Sequence, residues 1–409
     1  MHRLATLYKN AYSGLSPATW WLSVVMLINR SGTMVIPFMT LYLTQALHYT
    51  IARAGIIMAI CGLGSICGGL LGGKLTDKFG FYSIQLSALV CGGIMFLVLG
   101  QMSSFAAIGA CAFLLSVIND AFRPANAAAI AQYSKEENRT RAYSVNRLSV
   151  NLGWAAGSVL GGIIASHNYH MLFWIDGLTN IGAAIMLRTV LSPSKNSQTP
   201  SKKRAGPSAI KTSSAYKDKM CLAFILMTVM FGCIFFQIFA VLPVFYKEKL
   251  FLSPFIIGMI MALNGVLIAA FEMTIVFTLE KRKRHVRYIS TGILLVALSF
   301  VVFNLLPGAL PLAIISTLIL TLGEMLAMPF MNTFWSSRTN ADNRGQYAGL
   351  YTVAWSVAQV MGPYAGTQVV QHYGFSTLWW IVGGAGIVTA IGCDQLRYTA
   401  PKNALPAAE

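Results

Sequence analysis

Six ionisable side chains interrupt stretches of sequence that are otherwise apolar, and these six could do chemistry. They are two arginines and four carboxylic acids, namely Arg30, Asp120, Arg123, Asp176, Glu272 and Glu324. A charge near the centre of a lipid bilayer costs about 2.5–3.5 kcal/mol on insertion scales, so these residues need partners or a water-filled cavity. Two cations cannot pair with four acids. Because desolvation disfavours a charged carboxylate, we expect at least one acid to take up a proton near neutral pH, as proton coupling requires.

Two of the acids differ in their local partners. Asp120 and Arg123 lie three residues apart, so they share one face of a helix and can pair. That pair is either a structural ion pair or part of a proton pathway, and the sequence leaves both open. Glu324 has no Lys or Arg within a turn of its own helix. At about 14 residues from the helix start it lies some 21 Å along the axis, near the bilayer centre. We therefore predict Glu324 as the proton carrier, with Arg30 and Arg123 as cations at comparable depth.

The other polar residues of the apolar stretches are less decisive. The dipeptide Asn29-Arg30 lies about nine residues into the first stretch, roughly 14 Å deep, and belongs to the predicted pathway. Asp176 is either a hydrogen-bonded structural acid or a residue lining an outer vestibule. Glu272 lies about six residues from the predicted end of its helix, where it can reach a basic loop, so a packing role is favoured over transport.

The chain that positions these residues has the composition of a membrane protein. Hydrophobic residues make up 56% and charged residues 11% of the chain, whereas globular proteins have about 25% charged residues. Most apolar stretches exceed the roughly 20 residues that a membrane-spanning helix needs. Around twelve can be counted, near residues 18–45, 53–75, 82–102, 104–133, 142–165, 170–190, 219–246, 253–278, 286–306, 310–334, 345–370 and 375–395.

The sequence is also duplicated. One gapless shift sets Pro124 on Pro329, Gly157 on Gly362 and Trp174 on Trp379. A long internal match indicates two structurally equivalent halves. We therefore predict an all-α membrane protein with 12 transmembrane helices in two pseudo-symmetric six-helix bundles. The predicted boundaries are an N-terminal bundle at 1–190, a cytoplasmic linker at 191–218, a C-terminal bundle at 219–396 and a cytoplasmic tail at 397–409.

The net charge of +17 reflects topology and does not indicate a nucleic-acid partner. With both termini on one side, only Arg53, Lys247 and Lys249 fall on the opposite side, and Arg30 and Arg123 fall within the membrane. All other Lys and Arg lie on the side of the termini, which the positive-inside rule makes cytoplasmic. We expect a monomer in the bacterial inner (plasma) membrane, with the lipid bilayer as its environment.

The loop after the second apolar stretch carries a family resemblance. The run Gly73-Lys74-Leu75-Thr76-Asp77-Lys78-Phe79-Gly80 resembles the signature G-x-L-x-D-R-x-G-R-R of the major facilitator superfamily, with Lys78 in place of Arg. The resemblance implies that Gly73, Asp77, Lys78 and Gly80 form a gating loop, in which Asp77 holds the two halves together at the cytoplasmic face. It also implies transport by alternating access.

Two further runs resemble proton-coupled exporters. The segment Arg123-Pro124-Ala125-Asn126-Ala127 is similar to their fourth-helix R-x-x-Q-G signature, in which the arginine is tied to proton transfer. Gly153, Gly157, Gly161 and Gly162 follow the fifth-helix G-x-x-x-G-P-x-x-G-G signature of drug:proton antiporters, with Ser158 in place of proline. The second half repeats this pattern with its proline, as Gly362, Pro363 and Gly366. The alternative interpretation is a generic small-residue packing face.

Other features resemble proton-dependent oligopeptide transporters. These features are the basic residue before Pro124, the acid Glu324 five residues before Pro329, and the seventh-stretch run Phe235-Phe236-Gln237. The first helix lacks the acidic E-x-x-E-R-F pattern of that group. This resemblance implies uptake of small peptides or similar zwitterions and adds Gln237 to the predicted pathway.

The remaining function classes are disfavoured by motifs that the sequence lacks. No histidine lies inside an apolar stretch to serve as a catalytic base, and His167 and His170 have no flanking acid or cysteine. A phosphate-binding loop G-x-x-x-x-G-K-[ST] is missing, which argues against an ATP-driven pump. We expect no enzyme activity, cofactor or metal, and a channel is less favoured. The prediction is a proton-coupled secondary transporter of a small organic molecule, with export of amphipathic compounds slightly preferred over peptide uptake.

Overall fold

The computed structural model describes residues 15–134, 139–191, 215–280, 284–338 and 344–399. Helices with short connections make up this part of the chain, and it contains no strand. Eleven of its helices are long and apolar enough to span a membrane. The predicted all-α membrane architecture is confirmed.

The described part of the first half contains seven helices. They are α1 Pro17–Ser31, α2 Val35–Leu41, α3 Ile51–Phe79, α4 Phe81–Leu99, α5 Phe105–Tyr133, α6 Arg139–His167 and α7 His170–Val190. A short π-helical segment, Tyr42–Ala46, continues α2. Because α1, α2 and this segment follow one another closely, they form a single interrupted membrane span, Pro17–Ala46.

The second half repeats this order. Its helices are α8 Lys219–Phe235, α9 Gln237–Ala240, α10 Leu242–Glu248, α11 Pro254–Glu280, α12 His285–Leu305, α13 Leu310–Ser336 and α14 Arg344–Thr399. At 1.5 Å per residue the 56 residues of α14 extend about 84 Å, which is far more than a bilayer core of about 30 Å. Gly374, with φ 82° and ψ 171°, interrupts α14. The two last predicted spans therefore meet at Gly374 without a loop.

Both halves begin with a broken helix. The first breaks at Gly32–Met34, just before the predicted kink at Pro37, and the second breaks at Phe236 and again at Val241, before Pro243. Proline stiffens the start of a helical segment and cannot donate a backbone hydrogen bond. Each break leaves backbone groups in the membrane that other parts of the protein must satisfy.

Contacts divide the chain into two compact units, each with its own core. The first unit contains the residues up to Tyr42, the first half from Ile60 onward, and the start of α11, Pro254–Ala269. The second unit contains Leu43–Ala59 and the rest of the second half. The bundle boundaries 1–190 and 219–396 stay a prediction. Most of the predicted linker, residues 192–214, lies outside the described residues, as does the tail from residue 400.

The two units repeat one packing scheme. In the first unit α1 packs against α6 and α7, and α4 packs against α5 and α7. In the second unit α8 packs against α14, and α12 packs against α13 and α14. Each helix of the second set is the counterpart of one in the first under the gapless shift, with α14 supplying two counterparts. The predicted pseudo-symmetry is confirmed.

Candidate functional site

The break between α1 and α2 is held by Asp176 of α7. This side chain is fully buried, and its carboxylate accepts hydrogen bonds from the backbone N–H of Met34, at 3.0 Å to Oδ1 and 2.9 Å to Oδ2, and of Val35, at 2.8 Å to Oδ2. The first N–H groups of a helix have no partner within it and favour a negative charge. Asp176 is thus a cap for α2, which supports the structural one of its two interpretations.

Polar neighbours of Asp176 on α7 also hold the end of α1. Asn29 Nδ2 donates to Asn180 Oδ1 at 2.8 Å, and Asn180 Nδ2 donates to the Asp176 carbonyl oxygen at 2.8 Å. Gly32 lies directly against Thr179, because a Cβ at Gly32 would overlap the Thr179 hydroxyl. The sequence analysis missed Thr179 and Asn180. Their spacing after Asp176, three and four residues on, marks one polar face of an otherwise apolar helix.

The first unit brings three predicted pathway residues together. Arg123 Nη1 lies 3.3 Å from Asp120 Oδ1, and the Arg123 side chain is 69% exposed while that of Asp120 is 21% exposed. Arg30 lies close enough for the charges of both residues to act on it. Its Nε atom is buried and has no hydrogen-bond partner among the described residues. This group, called the charge cluster below, contains two guanidinium groups and one carboxylate.

Cys61 and Ser116 border the charge cluster, and neither was expected. The Cys61 thiol of α3 hydrogen-bonds with Ser116 of α5 and experiences the charge of Asp120, one turn further along α5. The contact depends on close packing of the two helices. A Cβ at Gly64 would lie 2.8 Å from the Ser116 Cβ, and one at Gly72 would lie 2.5 Å from the Ala121 Cα. The glycines of α3 therefore allow the backbone of α5 to approach closely.

The glycines of α6 place Arg30. A Cβ at Gly153 would lie 2.6 Å from the Arg30 Cβ, and one at Gly157 would lie 2.9 Å from the Ser31 carbonyl oxygen. A Cβ at Gly161 would lie 2.9 Å from the Phe38 ring, and one at Gly162 would lie 2.7 Å from the Pro254 carbonyl oxygen. The antiporter-like signature therefore lies against the broken first helix and the start of α11. At Gly153, one contact both packs α6 against α1 and positions Arg30, a predicted pathway residue.

The equivalent glycines of α14 lie against the second broken helix. A Cβ at Gly362 would lie 3.0 Å from the Cys233 Cα, and one at Gly366 would overlap the amide of Gln237. Gln237 Nε2 donates at 2.8 Å to the carbonyl oxygens of both Cys233 and Gly362. Pro363 lies inside α14. A neutral amide therefore bridges the break in the second unit, and its buried Oε1 atom has no partner among the described residues.

Two acids of the second unit occupy different depths of burial. Glu324 is half-buried in α13 and follows Gly323, where a Cβ would lie 2.7 Å from the Gly292 carbonyl oxygen. Glu272 of α11 is only 6% exposed. Both side chains have interaction partners. Close packing of α13 on α12 fixes the position of Glu324.

An aromatic cluster surrounds the break of α8 and was not expected from the sequence. Its ring centroids lie 5.9 Å apart for Phe235 and Trp355, 6.0 Å for Phe236 and Trp355, and 5.8 Å for Phe235 and Phe239. Edge-to-face aromatic pairs at such distances attract one another beyond simple area burial. The only signal was the density of Phe from Phe231 to Phe239, which is common in membrane helices.

The predicted gating loop is a tight helix-to-helix turn. α3 ends at Phe79, and Gly80, with φ 81° and ψ 151°, precedes α4. This backbone conformation favours glycine. Asp77 and Lys78 are exposed, and Lys78 Nζ lies 5.1 Å from the Phe79 ring centroid. A Cβ at Gly73 would meet nothing within 4 Å. Within the described part of the chain, the Asp77 carboxylate makes no hydrogen bond or ion pair.

An unexpected polar cluster joins three helices of the second unit. Asp218 caps α8 by accepting from the N–H of Met220 and Cys221, at 3.0 and 3.1 Å. Arg338 Nη2 donates to Asp218 Oδ2 at 3.0 Å, and the Tyr347 hydroxyl donates to the same oxygen at 2.9 Å. Burial acts to raise the pKa of Asp218, but these hydrogen bonds outweigh it and hold the pKa below its usual value. This group is called the Asp218 cluster below.

Comparison with known proteins agrees with this architecture. The sequence model of the Major Facilitator Superfamily matches residues 21–363 and 252–409. A multidrug resistance protein MdtH of Aeromonas salmonicida (strain A449) is 22% identical over 389 residues, 91% of this chain and 93% of that protein. A Na(+), Li(+), K(+)/H(+) antiporter of Planococcus maritimus is 21% identical over 393 residues, 88% of this chain and 91% of that protein.

Solved structures share the fold. The peptide transporter POT superposes with a TM-score of 0.80 at 16% identity, covering 95% of this chain and 96% of its own. The nucleoside transporter NupG superposes with a TM-score of 0.77 at 16% identity, covering 93% of this chain and 99% of its own. At this identity the likeness concerns the fold alone. With the family match across the chain, it follows that the protein is an integral membrane transporter of the Major Facilitator Superfamily and not an enzyme.

Proposed function

We propose that the protein is a proton-coupled secondary transporter that exports amphipathic organic compounds by alternating access. In this proposal it acts as a monomer in the bacterial plasma membrane, with both termini in the cytoplasm. The observation that carries the proposal is the charge cluster, in which Arg30, Asp120 and Arg123 lie together within predicted membrane spans. Charges at this depth are costly, so they are retained for a polar pathway.

The composition of the charge cluster suits coupling. Two guanidinium groups face one carboxylate, which leaves one positive charge without a fixed counter-charge inside the cluster. The buried Arg30 Nε is also a donor without an acceptor among the described residues. A buried donor of this kind costs about 1–3 kcal/mol until it is satisfied. Before a substrate binds, water satisfies this donor. A substrate that displaces the water satisfies the donor with its own acceptor atoms.

The proton is assigned to Glu324. It lies 14 positions after the start of α13 at Leu310, about 21 Å along the helix and close to the bilayer centre. Protonation removes the charge whose burial is expensive, so the protonated and ionised forms favour different surroundings. Asp77, at the cytoplasmic end of α3, is assigned to the gate, where it contributes to turnover more than to binding.

The substrate class is inferred from relatives and from the aromatic cluster. One relative is named a multidrug resistance protein and another an antiporter. Flat rings at Phe235, Phe236, Phe239 and Trp355 offer apolar and cation-π contacts to the body of an amphipathic molecule. Gln237 supplies a buried amide oxygen beside them.

Everted membrane vesicles test the proposal. Vesicles that contain the protein and have an acidic interior are expected to accumulate ethidium or tetracycline. The accumulation is expected to stop when the pH gradient is collapsed. Glu324→Gln is expected to abolish the gradient-driven accumulation but to retain binding, because the amide cannot carry the proton. Asp77→Asn is expected to slow turnover with little change in affinity.

The matched control is Glu272→Gln, which replaces another acid of the second unit and is expected to retain coupling. If Glu324→Gln still accumulates substrate at the unmodified rate with the same pH dependence, the proton role passes to Asp120. Accumulation of dialanine instead of drugs, under a gradient of opposite direction, would establish the alternative of peptide uptake.

A further inference from the structure

A cavity lies apart from the residues assigned to transport. It has a volume of about 660 Å³ and lies in the second unit, where α10 ends, α12 ends and α14 bends at Gly374. Small-molecule sites commonly have volumes of about 300–1,000 Å³. None of the residues that we assign to the proton, the substrate or the gate lines this cavity.

The walls of the cavity are aromatic. Phe245 is the central ring, with centroid distances of 4.7 Å to Phe303, 5.3 Å to Phe375 and 5.3 Å to Trp379. Trp379 is completely buried, and its indole Nε1 has no hydrogen-bond partner among the described residues. Buried indole N–H groups usually have an acceptor. Trp379 therefore contributes to the apolar wall of the cavity, while its indole N–H is buried and not accessible from the cavity.

The polar residues of the cavity carry both signs of charge. Glu248 and Lys249 are neighbours at the end of α10, and both are exposed at its edge. Burial of part of the Glu248 side chain raises the pKa of its carboxyl, an effect that Lys249 opposes. A desolvated carboxylate gains from a cationic partner. Its existing contact is weak, since Gln45 Nε2 lies 3.4 Å from Glu248 Oε1.

An amide complements the two charges. Asn304 Nδ2 donates to the Ser376 carbonyl oxygen at 2.8 Å. This bond fixes the amide between α12 and the second span of α14. A hydrogen-bonded amide still offers its oxygen as an acceptor. The cavity thus offers acceptors at Glu248 and Asn304 and a donor at Lys249 beside a cluster of rings.

We propose that this cavity is a binding site for a small zwitterion with an aromatic side chain, whose ammonium pairs with Glu248 and whose carboxylate pairs with Lys249. The aromatic side chain packs against Phe245 and its neighbouring rings. A cavity with only Glu248 would favour a cation and one with only Lys249 an anion. The adjacent pair favours a molecule that carries both charges a few ångströms apart.

Three probes with the same aromatic body test this assignment. L-phenylalanine carries both charges, phenethylamine only the ammonium, and 3-phenylpropionate only the carboxylate. Binding to the purified full-length protein in nanodiscs is measured by calorimetry without a proton gradient, so failure of the transport proposal does not affect the result. L-phenylalanine is expected to bind about tenfold more tightly than either single-charge probe, since a hydrogen bond to a charged group contributes about that much.

Two charge-neutralising variants separate the ends of the ligand. Glu248→Gln is expected to weaken L-phenylalanine and phenethylamine about tenfold and to leave 3-phenylpropionate unchanged. Lys249→Gln is expected to weaken L-phenylalanine and 3-phenylpropionate and to leave phenethylamine unchanged. Lys247→Gln is the matched control, because this neighbouring cation on α10 does not line the cavity.

Several results would overturn the assignment. They are an absence of L-phenylalanine binding at millimolar concentration, equal affinity for the three probes, or variants that weaken all three probes alike. Both altered side chains are exposed, so the variants are expected to fold. An unchanged melting temperature in each variant verifies this.

Discussion

The broken first helix occupies the same position in each unit, but the side chains beside the break differ in chemistry. α1 carries Arg30 just before its break, whereas the gapless alignment of the halves sets Phe235 at that place in α8. Arg30 belongs to the charge cluster, and Phe235 lies among aromatic rings. Both helices are packed by equivalent glycines, Gly157 on α1 and Gly362 on α8.

This difference shows that the packing of the two broken helices is alike, whereas the side chains that line the breaks are not. Close helix packing is retained in both units because small residues admit a neighbouring backbone at any break. The side chains beside the break have diverged, so that one unit presents ionic groups and the other presents rings. The means of closing the break have diverged as well, with a carboxylate at Asp176 and a neutral amide at Gln237. We infer that duplication supplied the frame and that later substitution placed ionic groups beside the break in one half and aromatic rings beside the break in the other.

Replacing Asp176 and Gln237, the residues that close the two breaks, is the strongest test of this comparison. Asp176→Ala leaves the buried N–H groups of Met34 and Val35 without their acceptor. The expected loss of stability is about 3–5 kcal/mol, since each unsatisfied buried group costs about 1–3 kcal/mol. Gln237→Ala is expected to cost less, because the amide it removes is neutral and one of the two carbonyl oxygens it contacts, that of Gly362, lies inside α14 far from its ends. Melting temperatures in detergent compare the variants, and equal losses would contradict the contrast between the two bridges.

The N-terminal ends of α1 and α8 give a second contrast that depends on pH. In the second unit the Asp218 cluster joins three helices, whereas in the first unit the Ser16 hydroxyl donates to the Tyr133 carbonyl oxygen at 2.6 Å. Asp218→Asn is expected to cost about 2 kcal/mol, and partial exposure keeps this modest. Ser16→Ala is expected to cost about 1 kcal/mol.

The direction of the pH effect follows from the lowered pKa of Asp218. Its folded-state pKa lies below the unfolded value, so its contribution is complete above the usual Asp pKa of about 3.9 and is lost as pH falls toward the folded value. The unmodified protein is therefore expected to lose this stability in acid, whereas Asp218→Asn is not. Ser16→Ala has no such pH dependence. A melting temperature of Asp218→Asn that falls in acid as steeply as the unmodified protein would exclude this contribution.

The smallest expected effect concerns the bend of α14. Gly374 has φ 82°, whereas its counterpart in the first unit, Tyr169, has an ordinary helical backbone with φ −61°. Gly374→Ala is expected to cost about 1–2 kcal/mol from backbone strain alone, because its Cβ would meet nothing within 4 Å. Gly384→Ala in the same helix is the control, since its Cβ is also unobstructed, and it is expected to be neutral or slightly stabilising. Equal melting temperatures for the two variants would show that the bend is not strained by a side chain.

Sequence reasoning located the residues that are unusual for their depth. Arg30, Asp120 and Arg123 were found because charge is rare in apolar stretches, and the structure places them together in one unit. The glycines of α6 were found because they match a signature with fixed spacing. Glu324 lies at the predicted depth in α13, and its role as proton carrier stays a prediction.

The features that the sequence did not reveal depend on contacts between residues that lie far apart in the chain. Nothing near Gly32 indicates that Asp176, far along the chain, caps α2. The rings around Trp355 and the cavity beside Phe245 were missed because aromatic residues are common in membrane helices, so only their spatial convergence distinguishes them. The contacts of Asp218 with Arg338 and Tyr347 were missed because Asp218 lies 120 and 129 positions from these two partners in the sequence.

The cap on α2 has a consequence for how this sequence tolerates change. Asp176 contacts the main chain of Met34 and Val35 and not their side chains. Every residue except proline offers the same N–H group, so the cap does not restrict the side chains at 34 and 35, which are restricted by their burial instead. In a saturation mutagenesis scan, functional variants should therefore include several apolar residues other than proline at 34 and 35, and be nearly uniform at 176.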